Sequence, residues 1–377
     1  MRLEDIKTPA YVCEITKLKA NLNLLNYVAK SSGAKVLCAL KGFAFSPSMP
    51  LVATMLDGAT CSGLIETKYA KEHNFKEIHT YSPAFKDDEI DEVLSISNHV
   101  VFNSFNQWKR FATKARNSNA SIGLRVNPNV SASPTDMYNP CARFSRLGIT
   151  KENFEFDNID GIDGLHFHAL CEESAESLEM VLRAFEEQFG EILPSMKWVN
   201  LGGGHHITKA GYNVDLLIKL LKNLAEKYSL EVYIEPGEAV GWECGFLIAS
   251  VLDIVDNEQK ICIIDASAEC HMPDTILMPY RPKIRGESQN GKFSYRFGGA
   301  TCLAGDIVGA EAGDAIYKFD NPINIGDKII FEDQIHYTIV KNTTFNGVKL
   351  PSLAMMDESG DVVVWREFGY DDYAKRN

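Results

Sequence analysis

From residue 36 to residue 238 the chain repeats one arrangement. A short apolar run ends in Gly, Ser, Asn or another polar residue, and a longer segment with apolar positions at helical spacing usually follows. The runs are residues 36–40, 58–62, 77–82, 99–104, 121–127, 161–169, 198–204 and 232–238, eight in all. Residues 174–189 place Leu178, Val181, Leu182 and Phe185 at i, i+3, i+4 and i+7, and residues 214–228 place Leu217, Leu220, Leu221 and Leu224 on one face. Stripes of that width pack against a sheet. Eight strands alternating with helices predict a (β/α)8 TIM barrel; a doubly wound sheet competes, and the count of eight favours the barrel.

Beyond about residue 242 the pattern changes. Strand-like runs at residues 246–255, 260–264, 292–297, 328–331, 337–340 and 362–366 are punctuated by Gly, Asn, Asp and Pro. This predicts a mostly antiparallel β-domain, a C-terminal β-barrel or sandwich. The expected organisation is a barrel over residues 12–242, with residues 1–11 and 243–377 forming the β-domain. Neither low-complexity sequence nor a repeat of fixed period is present.

Charge narrows the partners. The formal net charge is -13, and phosphate contacts need clustered Lys and Arg, so nucleic acid is disfavoured. A surplus of carboxylates would suit a cationic ligand, although plain solubility is the simpler account of it. Nine cysteines with no C-x-x-C pair give no disulfide framework and no structural zinc site, and suit a reducing cytoplasm. The N-terminus lacks the apolar core of a signal peptide, and no run of about 18 apolar residues suggests a membrane span.

In a TIM barrel the chemistry lies at the C-terminal ends of the strands. The unusual residues there are Lys41, Arg125, His168, Gly202, Gly203, Gly204 and Glu235. A lysine directly after a buried strand is partly desolvated, which lowers its pKa and makes it a Schiff-base nucleophile; the alternative is a lysine snorkelling from the barrel mouth. Three glycines after an apolar strand let amides approach an anion, or simply make a tight turn. They do not match G-x-G-x-x-G, which disfavours a dinucleotide fold. Glu235, at the end of a buried strand, needs a partner: a protonated pyridine nitrogen, or a barrel arginine such as Arg125. His166 and His168 form H-x-H, and His205 and His206 follow the glycines. Adjacent residues of a strand face opposite ways and no carboxylate ligands stand out, so no metal site is expected.

Taken in order, Ala39-Leu40-Lys41-Gly42, Leu201-Gly202-Gly203-Gly204, Glu235-Pro236-Gly237 and Gly299-Ala300-Thr301-Cys302 resemble the fold-type III pyridoxal phosphate (PLP) decarboxylases, the group of the ornithine and diaminopimelate enzymes. The fold implied is an alanine racemase-like barrel with a C-terminal β-domain. The resemblance implies that Lys41 carries PLP as a Schiff base, His168 stacks on the ring, Gly202, Gly203 and Gly204 hold the phosphate, and Glu235 binds the pyridine nitrogen. Tyr337, followed by Thr344-Phe345-Asn346-Gly347, matches a phosphate-binding tyrosine. Cys302 matches the cysteine that reaches the other subunit's site, which implies a homodimer with shared active sites. Cys302 is also the candidate acid that protonates the product carbon, with Lys41 as runner-up.

Two positions depart from the group. Most members of the group carry Arg where this chain has Glu238, and usually a Gly-Ser phosphate contact where it reads Ala169-Leu170-Cys171-Glu172. An acid at 238, together with Asp274 and Asp306, suits an amino acid with a cationic, polyamine-like tail. Glu235 favours decarboxylation over racemisation, because it keeps the ring nitrogen protonated and the electron sink strong. The expectation is therefore a decarboxylase of the polyamine-biosynthesis branch. The alternatives are a decarboxylase of another basic amino acid (diaminopimelate, ornithine or arginine), a non-catalytic regulatory protein on the same fold, and a metal hydrolase.

Overall fold

The computed structural model describes residues 1–133, 136–310, 313 and 315–377. The chain forms two compact units. One comprises Met1–Ala20, Phe43–Ser48 and Gly241–Asn377; the other comprises Asn21–Gly42 and Met49–Val240.

The first strand, β1 (Ala10–Glu14), belongs to the former unit. The next eight build the latter: β2 (Lys35–Ala39), β3 (Gly58–Cys61), β4 (Ile78–Tyr81), β5 (His99–Phe102), β6 (Ser121–Arg125), β7 (Gly164–His166), β8 (Trp198–Asn200) and β9 (Glu231–Ile234). Every neighbouring pair is parallel, and β2 pairs with β9, so the sheet closes into an eight-stranded barrel. All eight apolar runs of the sequence thus became barrel strands. The two striped segments are helices, Ala175–Phe189 and Val214–Tyr228, and each buries its apolar face. Ser174 and Asn213 cap them by accepting from the Ser177 and Leu216 amides, which satisfies donors that a helix N-terminus leaves open.

The barrel interior is asymmetric. Trp198 of β8 fills it against Leu37, Val101 and Tyr233. Two glycines in adjacent strands make room: a Cβ on Gly123 would lie 2.3 Å from the indole, and one on Gly164 2.1 Å. The indole N–H donates to Ser121 Oγ at 2.8 Å, so its polar edge is satisfied.

At the N-terminal ends of the strands lies a polar cavity of about 470 Å³ lined by Lys35, Asp57, Lys76, Glu77, Asn98, His99, Glu231 and Tyr233. Glu77 anchors it, receiving Lys35 Nζ at 3.0 Å, Tyr233 OH at 2.9 Å and His79 Nε2 at 2.9 Å. Among the described residues, Glu77, His79 and His99 are the one trio whose ligand atoms converge closely enough for a metal ion. The two imidazoles, however, stack with centroids 3.9 Å apart and planes only 18° from parallel. Imidazole binds a metal along an in-plane lone pair, and two stacked planes cannot both contain one ion. The trio is better read as a hydrogen-bonded plug.

The other unit is a mixed sheet. Its strands are β1, β10 (Gly245–Asn257), β11 (Gln259–Ile264), β12 (Phe293–Gly298), β13 (Tyr317–Phe319), β14 (Lys328–Glu332), β15 (Ser352–Met356) and β16 (Val362–Arg366). The order is β13-β12-β11-β10-β1-β15-β16, with β14 on β10. Five pairings are antiparallel and two, β1 with β15 and β11 with β12, are parallel. Its core is Ile6, Ala10, Val12, Phe246, Ile248, Ala354 and Val362. Residues 337–340, expected as a strand, instead enter a 3-10 turn, Thr338–Lys341, because Tyr337 adopts a positive φ of 37° that no strand accommodates. The strands β1, β13 and β15 were not anticipated.

Candidate active site

The C-terminal rim of the barrel collects the residues singled out in the sequence. Lys41 lies two residues beyond β2, Arg125 ends β6, His168 lies two residues beyond β7, the glycines follow β8 and Glu235 follows β9 directly. The parallel register that closes the barrel brings these strand ends to one rim.

Lys41 is exposed to solvent by area, while the protein atoms crowding its amine desolvate it. Burial first, and the Arg125 guanidinium second, push its amine below the ordinary lysine range, while Glu235, Cys171 and Glu66 oppose. Burial and the neighbouring Lys41 and Arg125 push His168 well below the usual imidazole range, so its ring is neutral at pH 7. Gly203 N–H donates to His168 Nδ1 at 2.8 Å, which leaves the ring proton on Nε2.

Glu235 is 8% exposed. Burial alone would raise its pKa, but His166, at 3.5 Å, and Asn200, which donates Nδ2 at 2.7 Å, win and bring it to about 2. The carboxylate is therefore ionised throughout the physiological range. No ion pair joins it to Arg125 among the described residues. The guanidinium instead lies 4.6 Å from the Tyr81 ring centroid and donates Nη2 to the His168 carbonyl at 3.3 Å.

The glycine loop is held by its neighbours. Cβ atoms on Gly202, Gly203 and Gly204 would lie 2.5, 2.5 and 2.2 Å from the carbonyl oxygens of Phe167, Glu235 and Leu170, so only glycine fits. Gly202 N–H donates to Asn200 Oδ1 at 2.9 Å, and Gly203 N–H is taken by His168. Glu238 opens the short helix Glu238–Gly241, with its carboxylate 3.9 Å from His206 Nε2. His205 and His206 are both buried, at 2% and 3% exposure. The strand alternation expected for them does not apply, because β8 ends at Asn200 and both lie in the following loop.

Asp274, Cys302, Asp306 and Tyr337 belong to the sheet unit. Its loops are laced together by side chains. Asp306, 3% exposed, accepts from the Ala268 and Glu269 amides at 2.7 and 3.2 Å and from Thr301 Oγ1 at 2.6 Å. Its carboxylate is thus engaged at the start of the helix Ala268–His271. Cys302 is exposed, and its N–H donates to Asn346 Oδ1 at 2.7 Å. Asp274 pairs with Lys341 at 2.5 Å, and the same ammonium lies 5.2 Å from the Tyr337 ring centroid.

Sequence reasoning passed over Asn200 and Tyr81. For Asn200 a signal existed: a lone amide inside Trp-Val-Asn-Leu, directly before the glycines, is a buried polar group that requires partners. Tyr81 gave none, since an aromatic in a strand reads as core.

A protein-family model described as pyridoxal-dependent decarboxylase, C-terminal sheet domain, matches residues 10–334. The chain is 54% identical, over 100% of both chains, to a carboxynorspermidine/carboxyspermidine decarboxylase from Campylobacter jejuni subsp. jejuni. It is 40% identical to a carboxyaminopropylagmatine decarboxylase from Synechocystis sp., over 100% of this chain and 96% of that one. Among solved structures, a carboxynorspermidine decarboxylase from Campylobacter jejuni complexed with norspermidine superposes with a TM-score of 0.92 at 53% identity, covering 99% of this chain and 100% of that one.

Proposed function

This chain belongs to the pyridoxal-dependent decarboxylases, and from that premise we propose that it decarboxylates carboxynorspermidine and carboxyspermidine to norspermidine and spermidine. The observation that carries the substrate is the full-length 54% identity to a relative named for both compounds. In the reaction the bond from the α-carbon to the carboxylate breaks, carbon dioxide leaves, and one proton is added at that carbon.

The rim residues fit pyridoxal phosphate by their chemistry. Lys41 offers an amine of lowered proton affinity to an aldehyde. Glu235 offers a buried carboxylate, ionised at neutral pH, to a protonated pyridine nitrogen. His168 offers a flat neutral imidazole for stacking. When bound, the cofactor supplies an electron sink for the pair left by the departing carboxylate. Because the Gly202 and Gly203 amides already donate to side chains, the phosphate would draw on the Gly204 amide and on Tyr337.

We assign the substrate's cationic tail to Glu238 and Asp274. Asp274 already holds an ammonium group, that of Lys341, so a substrate amine has to compete for it. Asp306 we assign to the scaffold of its loop, since its oxygens are occupied by backbone and threonine donors. Cys302 is the candidate proton donor, and we place it in the site of a second copy, which makes the working unit a homodimer. Nine free thiols suit the cytoplasm, and no helix among the described residues is long and apolar enough to cross a membrane.

The test is turnover of carboxynorspermidine, carboxyspermidine, carboxyaminopropylagmatine, ornithine, arginine and diaminopimelate side by side. The first two should give the highest kcat/KM. Preference for carboxyaminopropylagmatine would move the assignment to the activity named for the Synechocystis relative. Lys41→Ala and Cys302→Ala chains, each inactive alone, should regain activity when mixed if the sites are shared.

A further inference from the structure

Three hydrogen bonds join Asn200, Gly202 and Glu235 into a closed ring. Asn200 Nδ2 donates to Glu235 Oε1 at 2.7 Å, the Glu235 N–H donates to the Gly202 carbonyl at 2.8 Å, and the Gly202 N–H donates to Asn200 Oδ1 at 2.9 Å. Asn200 is 1% exposed, so neither end of its amide has water as a substitute partner. The orientation of that amide is determined. A backbone N–H can only donate and an ionised carboxylate can only accept, so the oxygen has to face Gly202 and the nitrogen has to face Glu235. The Asn200 amide serves both at once, with Nδ2 donating to the carboxylate and Oδ1 accepting from the backbone.

We propose that Asn200 is a positioning residue, one that locks the Glu235 carboxylate and the glycine loop into a single rigid element so that the acid and the loop meet the cofactor in fixed register. The inference rests on the proposed use of pyridoxal phosphate. The ring extends further, because the next amide, Gly203 N–H, donates to His168 Nδ1 at 2.8 Å. One side chain therefore governs the acid directly and lies one residue from the amide that orients the imidazole. His166, 3.5 Å from the other Glu235 oxygen, is too far for a strong bond and does not replace it.

The bland alternative is that Asn200 merely closes a turn after β8. The two readings separate in what a variant loses. If Asn200 only closes the turn, Asn200→Leu lowers stability while the cofactor binds the folded fraction unchanged. If it positions Glu235, the folded variant binds the cofactor more weakly, and the loss runs through Glu235.

The experiment titrates resolved apoprotein with pyridoxal phosphate and follows absorbance and fluorescence, for wild type, Asn200→Leu, Asn200→Ala, Glu235→Gln and Asn200→Leu with Glu235→Gln. Far-ultraviolet circular dichroism verifies that each is folded, and the alanine variant keeps the test alive should leucine not fit. A hydrogen bond to a charged group corresponds to a loss on the order of ten-fold or more in cofactor affinity for either Asn200 variant. The bound-cofactor spectrum should shift, and kcat should fall while KM changes little. In the Glu235→Gln background the same substitution should cost no more than roughly two- to three-fold, since residues acting through one group are not additive. Asn200 variants that load with wild-type affinity and spectrum, or losses that multiply in the double variant, overturn this inference alone. A wild-type chain that takes up no pyridoxal phosphate overturns the proposed function and this inference with it.

Discussion

Replacing His99 with phenylalanine should make the barrel less sensitive to acid. His99 is stacked on His79, lies 4.7 Å from the Trp198 ring centroid and exposes only 11% of its side chain. Burial first, and His79 second, lower its pKa from 6.5 to about 3. The fold therefore holds it neutral. Above pH 6.5 neither the folded nor the unfolded form is protonated and the residue costs nothing. As pH falls below 6.5 the unfolded chain takes up a proton that the folded chain refuses, so stability is lost progressively until about pH 3. At pH 5 the unfolded form has been favoured over about 1.5 pH units, or roughly 2 kcal/mol, against a limit of about 4–5 kcal/mol for the full shift. Phenylalanine keeps the ring contacts and removes the titration. Urea midpoints followed by circular dichroism between pH 7.5 and pH 5 supply the comparison. Wild type should lose about 2 kcal/mol more than His99→Phe over that interval. Parallel loss in the two proteins would refute the reasoning.

Four further outcomes follow from the geometry. Gly164→Ala should destabilise the barrel by about 1–3 kcal/mol or more, because the new methyl would lie 2.1 Å from the Trp198 indole; adding Trp198→Phe should recover part of the loss in the urea midpoint. Glu235→Gln should lower kcat by about 10- to 150-fold, the equivalent of a charge-assisted hydrogen bond, with little change in KM. Because Glu235 has its pKa depressed to about 2, its contribution is fully present above pH 4.5 and fades only as pH falls toward 2, so cofactor retention in the wild type should not titrate with this group between pH 5 and 9. Lys341→Met should lower KM for carboxynorspermidine several-fold by removing the ammonium that competes for Asp274, with kcat nearly unchanged; an unaltered KM would separate Asp274 from the substrate.

The sequence carried the barrel well and the sheet unit poorly, for a physical reason. Strands buried on both faces read as mainly apolar runs, and each of the eight barrel strands falls on one of them. In the sheet unit β13 is broken by a central Lys318, β15 has no β-branched or aromatic residue, and β1 is separated from its partners by more than two hundred residues, so local pattern did not mark them. Tyr337 illustrates the opposite error: Tyr-Thr-Ile-Val has strand propensity, but a backbone with φ of 37° ends the run before it starts. At the rim, residues that break an apolar pattern with a charge were legible, as Lys41 and Glu235 show. What stayed hidden was how they are held. That Gly203 binds His168 and Asn200 binds Glu235 depends on neighbouring strands of the barrel meeting, which no local pattern encodes; only the Asn200–Gly202 bond, two residues long, is local.

The same residue types occur at both ends of this barrel and do opposite work. At the N-terminal end Glu77 receives Lys35, Tyr233 and His79 at 2.9–3.0 Å, so its charge is spent within the protein. At the C-terminal end Glu235 receives one close donor, Asn200, and keeps its second oxygen 3.5 Å from His166. Both carboxylates are held at a pKa of about 2, so ionisation alone does not tell them apart. The number of donors each already has does. A fully surrounded acid stabilises the fold, whereas an ionised acid short of donors remains able to accept one more, and the protonated nitrogen of a bound pyridine ring is a donor of the right kind. The site in this barrel is thus marked less by charge than by incompletely used hydrogen-bonding capacity, held in place by a neighbour whose amide is engaged at both ends.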